Sequence, residues 1–234
     1  MRIFVAGAAG AIGRHLVPML VEAGHAVAGT TRSDDRARWL EGLGAAPVIV
    51  DAYDADAMRT AVLGTRPEIV IHELTDLAHG FGPEDVARTG RLREIGTRNL
   101  VEAALAARTR RLIAQSGAWL YADGPLPHDE SHPLRTPTSD PADASLRGIV
   151  ELERLVTRTP GLDGVVLRYG FFYGPSTAWE TETAPSPRVS VRAAARATLL
   201  AVDHGPAGVY NVVDDDAAVS NRRAREFLGW RPSP

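Results

Sequence analysis

The feature that most constrains this chain is its opening stretch, Met1-Arg-Ile-Phe-Val-Ala-Gly7-Ala-Ala-Gly10-Ala-Ile-Gly13, an apolar run that stops at a loop with a glycine at every third position. Ile3 to Ala6 is of buried-strand type, and Ile12, Leu16, Met19 and Leu20 recur at helical spacing, so the loop joins a strand to a helix. Gly7 permits the tight turn, Gly10 lets the backbone approach a pyrophosphate, and Gly13 lets the helix lie close to the sheet. The helix N-terminus adds unpaired N–H groups aimed at an anion. A second strand, His25 to Thr30, follows at once. Strand, glycine loop, helix and strand within about thirty residues make a βαβ unit suited to a phosphate-bearing dinucleotide.

The alternation continues along the chain. Strands are predicted at Pro47–Val50, Pro67–Ile71, Arg111–Gln115, Gly164–Tyr169 and Gly208–Val213. Helices are predicted at Ala55–Leu63, Pro83–Ala107, Asp143–Thr157, Val191–Val202 and Asn221–Leu228. Strands separated by crossover helices argue for an α/β fold with a Rossmann-like, doubly wound parallel sheet, and ligands are expected at the C-terminal strand ends. Two irregular stretches, Ala122–Pro141 and Pro175–Arg188, are expected as loops over those ends. The expected organisation is a dinucleotide-binding core over residues 1–175. A short C-terminal region, 176–234, would complete it and partly cover a substrate site.

At 234 residues and 44% hydrophobic content the chain can bury a full α/β core. A net charge of −3 gives no global reason to expect nucleic acid or a membrane as partner. No segment approaches the roughly 18 uninterrupted apolar residues of a membrane span, and the expected location is cytoplasmic. The absence of cysteine excludes disulfides, thiolate nucleophiles and thiolate metal ligands. The seven histidines are scattered, so no metal site is expected. All 26 basic residues are arginine. Arginine stays charged and does not easily replace a lysine that must relay a proton.

The ordered set of strings resembles the extended short-chain dehydrogenase/reductase group, the NAD-dependent epimerase/dehydratase family. It consists of Gly7 to Gly13, Ile69-Val-Ile-His72, Gly96-Thr-Arg-Asn-Leu-Val-Glu-Ala-Ala104, Leu120-Tyr121, Leu167-Arg168-Tyr169, Tyr173-Gly174-Pro175 and Gly208-Val-Tyr-Asn-Val. The resemblance implies a nicotinamide cofactor held by Gly7, Ala9, Gly10, Ala11, Ile12, Gly13, Thr31, Arg32, Asp51, Leu74 and Tyr169. It also implies a homodimer formed through the helices at Pro83–Ala107 and Asp143–Thr157. The second strand ends Thr30-Thr31-Arg32-Ser33 with no carboxylate until Asp34, which suits the 2′-phosphate of NADP better than the free ribose of NAD. Ser33 as a helix cap and Arg32 as a solvated charge is the plainer reading of the same residues.

The resemblance fails at the catalytic residues. The family pairs a serine or threonine after the fifth strand with Tyr-x-x-x-Lys on the next helix. Alignment through Leu120-Tyr121 puts Gly117 at the hydroxyl position, with Ser116 one place before it. Alignment through Glu151 puts Asp143 at the tyrosine position and Arg147 at the lysine position. The candidates for a rebuilt proton-transfer set are therefore Ser116, Tyr121, Asp143 and Arg147. Arg93 stands near the family's helix asparagine, and His72 is expected to pack at its strand end. Trp119, His128 and Phe171 are expected to line the substrate pocket, with His132 nearby. Three functions fit: an NADP-dependent oxidoreductase or epimerase of a small molecule, a non-redox dehydratase, isomerase or cyclase, and a non-catalytic NADP-binding regulator.

Overall fold

A computed structural model describes residues 1–77, 80, 82–181 and 183–232. Seven parallel strands form the main sheet: β1 (Arg2–Ala6), β2 (Ala26–Thr31), β3 (Ala46–Ile49), β4 (Ile69–His72), β5 (Arg111–Gly117), β6 (Asp163–Tyr169) and β9 (Gly208–Val212). Their order across the sheet is β3-β2-β1-β4-β5-β6-β9. The chain steps outward from β1 to β3 and then returns to β4 on the other side of β1. The crevice between the C-terminal ends of β1 and β4 is therefore the switch point at which such sheets take ligands. Ile3 pairs with Ile69 and Ala6 with His72, which brings Gly7 and Glu73 to the crevice together.

Apolar residues fill both faces of the sheet, as parallel strands covered on both sides require. On one face lie α1 (Gly13–Glu22), α2 (Asp34–Gly42) and α6 (Val191–Asp203), with Ile3, Val5, Leu16, Leu40 and Ala197 among the buried contacts. The other face carries α3 (Ala55–Thr65), α4 (Pro83–Ala106) and α5 (Ala144–Arg158), where Phe4, Met58, Leu100, Leu152 and Val156 pack. Local chemistry sets the helix starts. The Asp54 carboxylate accepts from the Ala57 amide at 2.9 Å, Pro83 occupies the first turn of α4, and the Ser190 hydroxyl accepts from the Ala193 amide at 3.2 Å. Helices α4 and α5 touch through backbone, since a Cβ on Gly148 would lie 2.4 Å from the Gly90 carbonyl oxygen.

The element order follows the alternation read from the sequence, with α2 added between the second and third strands and two refinements. The helix expected from Asp143 begins at Ala144, after a single 3-10 turn at Pro141–Asp143. The stretch expected as an irregular loop after Pro175 is anchored by a small parallel pair, β7 (Phe171–Tyr173) with β8 (Arg188–Ser190). The last element, α7 (Arg222–Leu228), packs below β9. Among the described residues no helix is long and apolar enough to cross a membrane.

Candidate active site

Gly7 leaves β1 at φ +88°, a conformation that favours glycine, and a Cβ there would sit 2.6 Å from the Glu73 carbonyl oxygen. Its amide donates to the Thr30 hydroxyl at 3.0 Å, and the Gly10 amide turns back onto the Gly7 carbonyl at 3.0 Å. A Cβ on Gly10 would meet only that same carbonyl oxygen, so the loop surface stays open where a pyrophosphate would lie. The resulting cleft is lined by Gly7, Ala9, Gly10, Thr31, Arg32, Asp51 and Leu74 from the expected cofactor set. Thr30, Arg36, Val50, Ala52, Met58, Glu73, Thr75 and Leu92 line it as well. The Arg32 side chain is 64% exposed, with Nη2 4.0 Å from the Asp76 carboxylate. The Thr31 hydroxyl accepts from the Ser33 amide at 3.2 Å, and the Asp51 carboxylate accepts from the Tyr53 amide at 3.0 Å.

Four residues expected at the cofactor do not line the cleft, and Gly13 among them has the close-packing role read for it from the sequence. Ile12 turns into the core beneath the loop, and Ala11 packs against that core. Gly13 is buried so that α1 can approach the Ala8 carbonyl, where a Cβ would stand at 2.2 Å. Tyr169 is fully buried under α6, its phenol hydrogen-bonded to the Thr198 hydroxyl at 2.6 Å, so its side chain offers no wall to a cofactor. Burial holds that phenol well above the ordinary tyrosine range.

The four expected catalytic residues fall into two separate groups. Ser116 donates to the Glu153 carboxylate at 2.6 Å, and Arg168 clamps the same carboxylate at 2.9 and 2.7 Å. The Tyr121 phenol accepts from Arg168 at 2.9 Å and donates to Asn211 at 2.7 Å. All five side chains are buried, and the hydroxyls of Ser116 and Tyr121 are committed inside the protein rather than presented to a substrate. Asp143 and Arg147 instead pin the segment before α5. The Asp143 carboxylate accepts from the Thr138 hydroxyl at 2.6 Å and amide at 2.9 Å, and Arg147 donates to the Thr138 and Asp140 carbonyls at 2.6 and 2.8 Å. The Thr138 hydroxyl and amide hold Asp143 below the usual carboxylate range, so it stays ionised.

The two glutamates of α5 face different sides of the helix. Glu151, used above to align the helix, bonds Arg154 at 2.7 and 2.8 Å on the solvent side, whereas Glu153 points to the sheet. Ile149 and Ser145 stand four and eight residues before Glu153, as Arg147 and Asp143 stand before Glu151. Ile149 is buried among Leu120, Leu146 and Trp119, a hydrocarbon environment with no proton to move.

Gly117 has its own cause. A Cβ there would lie 2.8 Å from the Trp119 ring, so the indole occupies the space a serine side chain would need. Trp119 stacks on Phe171 at 4.4 Å between ring centroids, and Trp179 meets Phe171 edge-on at 5.8 Å. His128 does not join this wall. It is buried against Tyr121, with ring centroids 5.1 Å apart, and its backbone pairs with Ala218 and Ser220. His72 packs at its strand end as expected. It bonds the Thr97 hydroxyl at 2.8 Å and accepts from the Leu74 amide at 3.2 Å, and burial pushes its pKa down to about 3.

Glu73 and Arg93 are buried charged side chains outside the expected site set, and neither has an ion-pair partner among the described residues. Glu73, 4% exposed, accepts from the Thr198 hydroxyl at 3.4 Å; its other oxygen has no partner, and burial pushes its pKa up to about 8. Arg93, 3% exposed, donates to the Ser145 hydroxyl at 3.0 Å and has a partnerless Nε, and burial pushes its pKa down to about 10.

Residues 3–207 match the model of the NAD dependent epimerase/dehydratase family. A Streptomyces protein named 3-diazoavenalumate denitrifying reductase is 43% identical over 94% of this chain and 70% of its own length. A Stigmatella aurantiaca protein named 4-hydroxy-2-methyl-3-oxo-4-farnesyl-3,4-dihydroquinoline-1-oxide ketoreductase is 29% identical over 95% of this chain and 70% of its own. The solved UDP-glucose 4-epimerase of Thermus thermophilus in complex with NAD superposes with a TM-score of 0.75. That comparison covers 100% of this chain and 85% of the epimerase, at 24% identity.

Proposed function

This chain belongs to the NAD-dependent epimerase/dehydratase family, and from that premise we propose that it is a nicotinamide-dependent reductase that delivers hydride without a Tyr-Lys proton relay. The observation that carries the reading is the inward turn of Glu153 onto Arg168: taken as the register of α5, it puts the buried Ile149 at the lysine position, beside an intact glycine cradle. An enzyme that keeps the cofactor loop and fills the relay with hydrocarbon suits a reduction in which no proton has to move. Removal of a diazo group, the activity named for the Streptomyces relative, is a reduction of that kind. The bound dihydronicotinamide would supply a hydride, and an aryl diazonium taking it at the ring carbon gains a C–H bond as its C–N bond breaks, leaving arene, dinitrogen and oxidised nicotinamide.

The chain's own residues have three tasks in this reading. Gly7 and Gly10 keep the loop surface free of side chains, so that a pyrophosphate would reach the N-terminal end of α1. Arg32 and Arg36 face the cleft where the adenosine ribose lies and favour the 2′-phosphate of NADPH over NADH, although the solved relative from Thermus carries NAD. Trp119, Phe171 and Trp179 offer aromatic surface to a flat, cationic ring, an arrangement favoured by the ring quadrupole.

The test is to supply the purified protein with NADPH deuterated at the transferred position and an aryl diazonium salt, and to follow dinitrogen release and deuterium in the arene. Enzyme-dependent deuterium at the former C–N carbon supports the reading. Tight NADPH binding with no deuterium transfer above the protein-free rate, across a panel of diazonium salts, sinks it.

A further inference from the structure

Arg93 is a charge with no counter-charge. Among the described residues no carboxylate forms an ion pair with it, and His72, on which its charge acts, is held neutral by burial. Its side chain donates to the Ser145 hydroxyl, which accepts that bond and gives its own proton to no described acceptor. Buried guanidinium groups are ordinarily paired, because leaving the charge unpaired forfeits its hydration. An unpartnered buried cation beside a free hydroxyl proton has the composition of an anion subsite.

Its place in the fold adds a second, independent observation. Arg93 follows Leu92, which lines the dinucleotide cleft, and Ser145 precedes Leu146, which packs with Leu120 and Trp119. The Arg93 charge acts on His72 at the end of β4 and its hydrogen bond reaches the first turn of α5, so the pair stands between α4 and α5 on the side where the strands end. The backbone contact of Gly90 with Ala144 and Gly148 fixes the spacing of α4 and α5 there, so the two side chains are held in place by helix packing.

We infer that Arg93 and Ser145 form the subsite for an oxyanion carried by the substrate, a carboxylate or a phenolate on the ring being reduced. The inference rests on the reductase reading above and narrows its substrate class. A cationic diazonium placed beside an unpaired guanidinium would be repelled unless the same molecule brought an anion to meet it. The guanidinium and the Ser145 hydroxyl would hold that anion, and with a phenolate they would also draw electron density away from the ring that accepts hydride.

The experiment titrates the native protein, with NADPH bound, against 4-nitrophenol, cinnamate and 4-nitroanisole by tryptophan fluorescence. The first carries only a phenolate, the second only a carboxylate, and the third neither. At least one anion is expected to bind about tenfold or more tightly than the neutral ether. Arg93→Gln should erase that preference while leaving NADPH and 4-nitroanisole affinities unchanged, and Ser145→Ala should weaken it. Should Arg93→Gln fail to fold, the comparison of probes on native protein and Ser145→Ala still decides. Equal affinity for anions and ether overturns the subsite, as does a preference that survives both substitutions. Reduction of diazonium salts at equal rates with and without an oxyanion would overturn the subsite and leave the reductase reading standing. An Arg93-dependent anion preference without any diazonium reduction would do the reverse.

Discussion

The two halves of the strand-end surface are built on opposite principles. At the β1 and β4 ends the cleft is lined largely by backbone and small side chains, Gly7, Ala9, Gly10, Thr30 and Thr31, and its arginines Arg32 and Arg36 line it while staying exposed to solvent. At the β5 and β6 ends, polar side chains turn inward and satisfy one another, through Ser116, Tyr121, Glu153, Arg168 and Asn211. The first half is arranged to receive a ligand, whereas the second is arranged to hold the fold. A cofactor site made of backbone tolerates loss of the neighbouring acid–base groups, because none of its hydrogen bonds runs through them.

The largest effect should come from breaking the inward half. Glu153→Ala would leave the buried Arg168 guanidinium and the Ser116 hydroxyl without their shared acceptor. Breaking one partner of such a pair costs about 3–5 kcal/mol. The expected outcome is a lower midpoint in urea unfolding, with NADPH affinity of the folded protein unchanged. If Glu153→Ala kept its stability and lost turnover, Ser116 and Glu153 would belong to the chemistry and the contrast between the halves would fail.

Sequence legibility follows the same division. The glycine loop was readable because each glycine answers a backbone demand at a fixed spacing, and His72 at its strand end was readable because β4 is a short apolar run with one polar residue closing it. Arg36 could have been added by extending the Arg32 reading one helical turn. Glu151 and Glu153 look alike in sequence, and only the partner across the core, Arg168, shows which of them faces the sheet. Trp119 shows the same limit. That Gly117 exists to admit the indole is a fact of packing, and no pattern within the segment carries it. Burial of Glu73 under Thr198, 125 residues away along the chain, is further still from any local signal.

Glu73 gives an intermediate effect at the boundary between the halves. Its pKa is raised from 4.5 to about 8 by burial, so the native state keeps a proton that the unfolded chain releases above its ordinary value. Stability contributed by this group is therefore full below about pH 4.5, falls as pH rises toward 8, and is flat beyond. The loss is on the order of a few kcal/mol. Glu73→Gln, which keeps the shape without the ionisation, should flatten that slope in urea unfolding followed from pH 5 to about 9. An unchanged slope would mean that Glu73 is solvated or paired when folded, and that the buried half does not extend to the cofactor cleft.

The smallest effect tests the outward half. Arg32 is exposed and meets Asp76 only at 4.0 Å, so its charge is free to turn toward a phosphate on the ribose, and Arg36 stands in the same cleft. Exposed charge–phosphate contacts are screened and individually weak, and removing both guanidinium groups should reduce NADPH affinity by about tenfold, or about 1.4 kcal/mol. Arg32→Ser with Arg36→Ser should leave NADH binding and urea stability unchanged, because neither side chain supports the core. The difference should shrink as salt is raised, which a buried pair such as Arg168 and Glu153 would not show. Equal loss of NADPH and NADH would place the arginines on the shared pyrophosphate. A preference for NADH already present in the native protein would assign the ribose edge to Asp51 and Asp76 instead, and the cleft would then resemble the NAD complex of the solved epimerase in its cofactor as well as its fold.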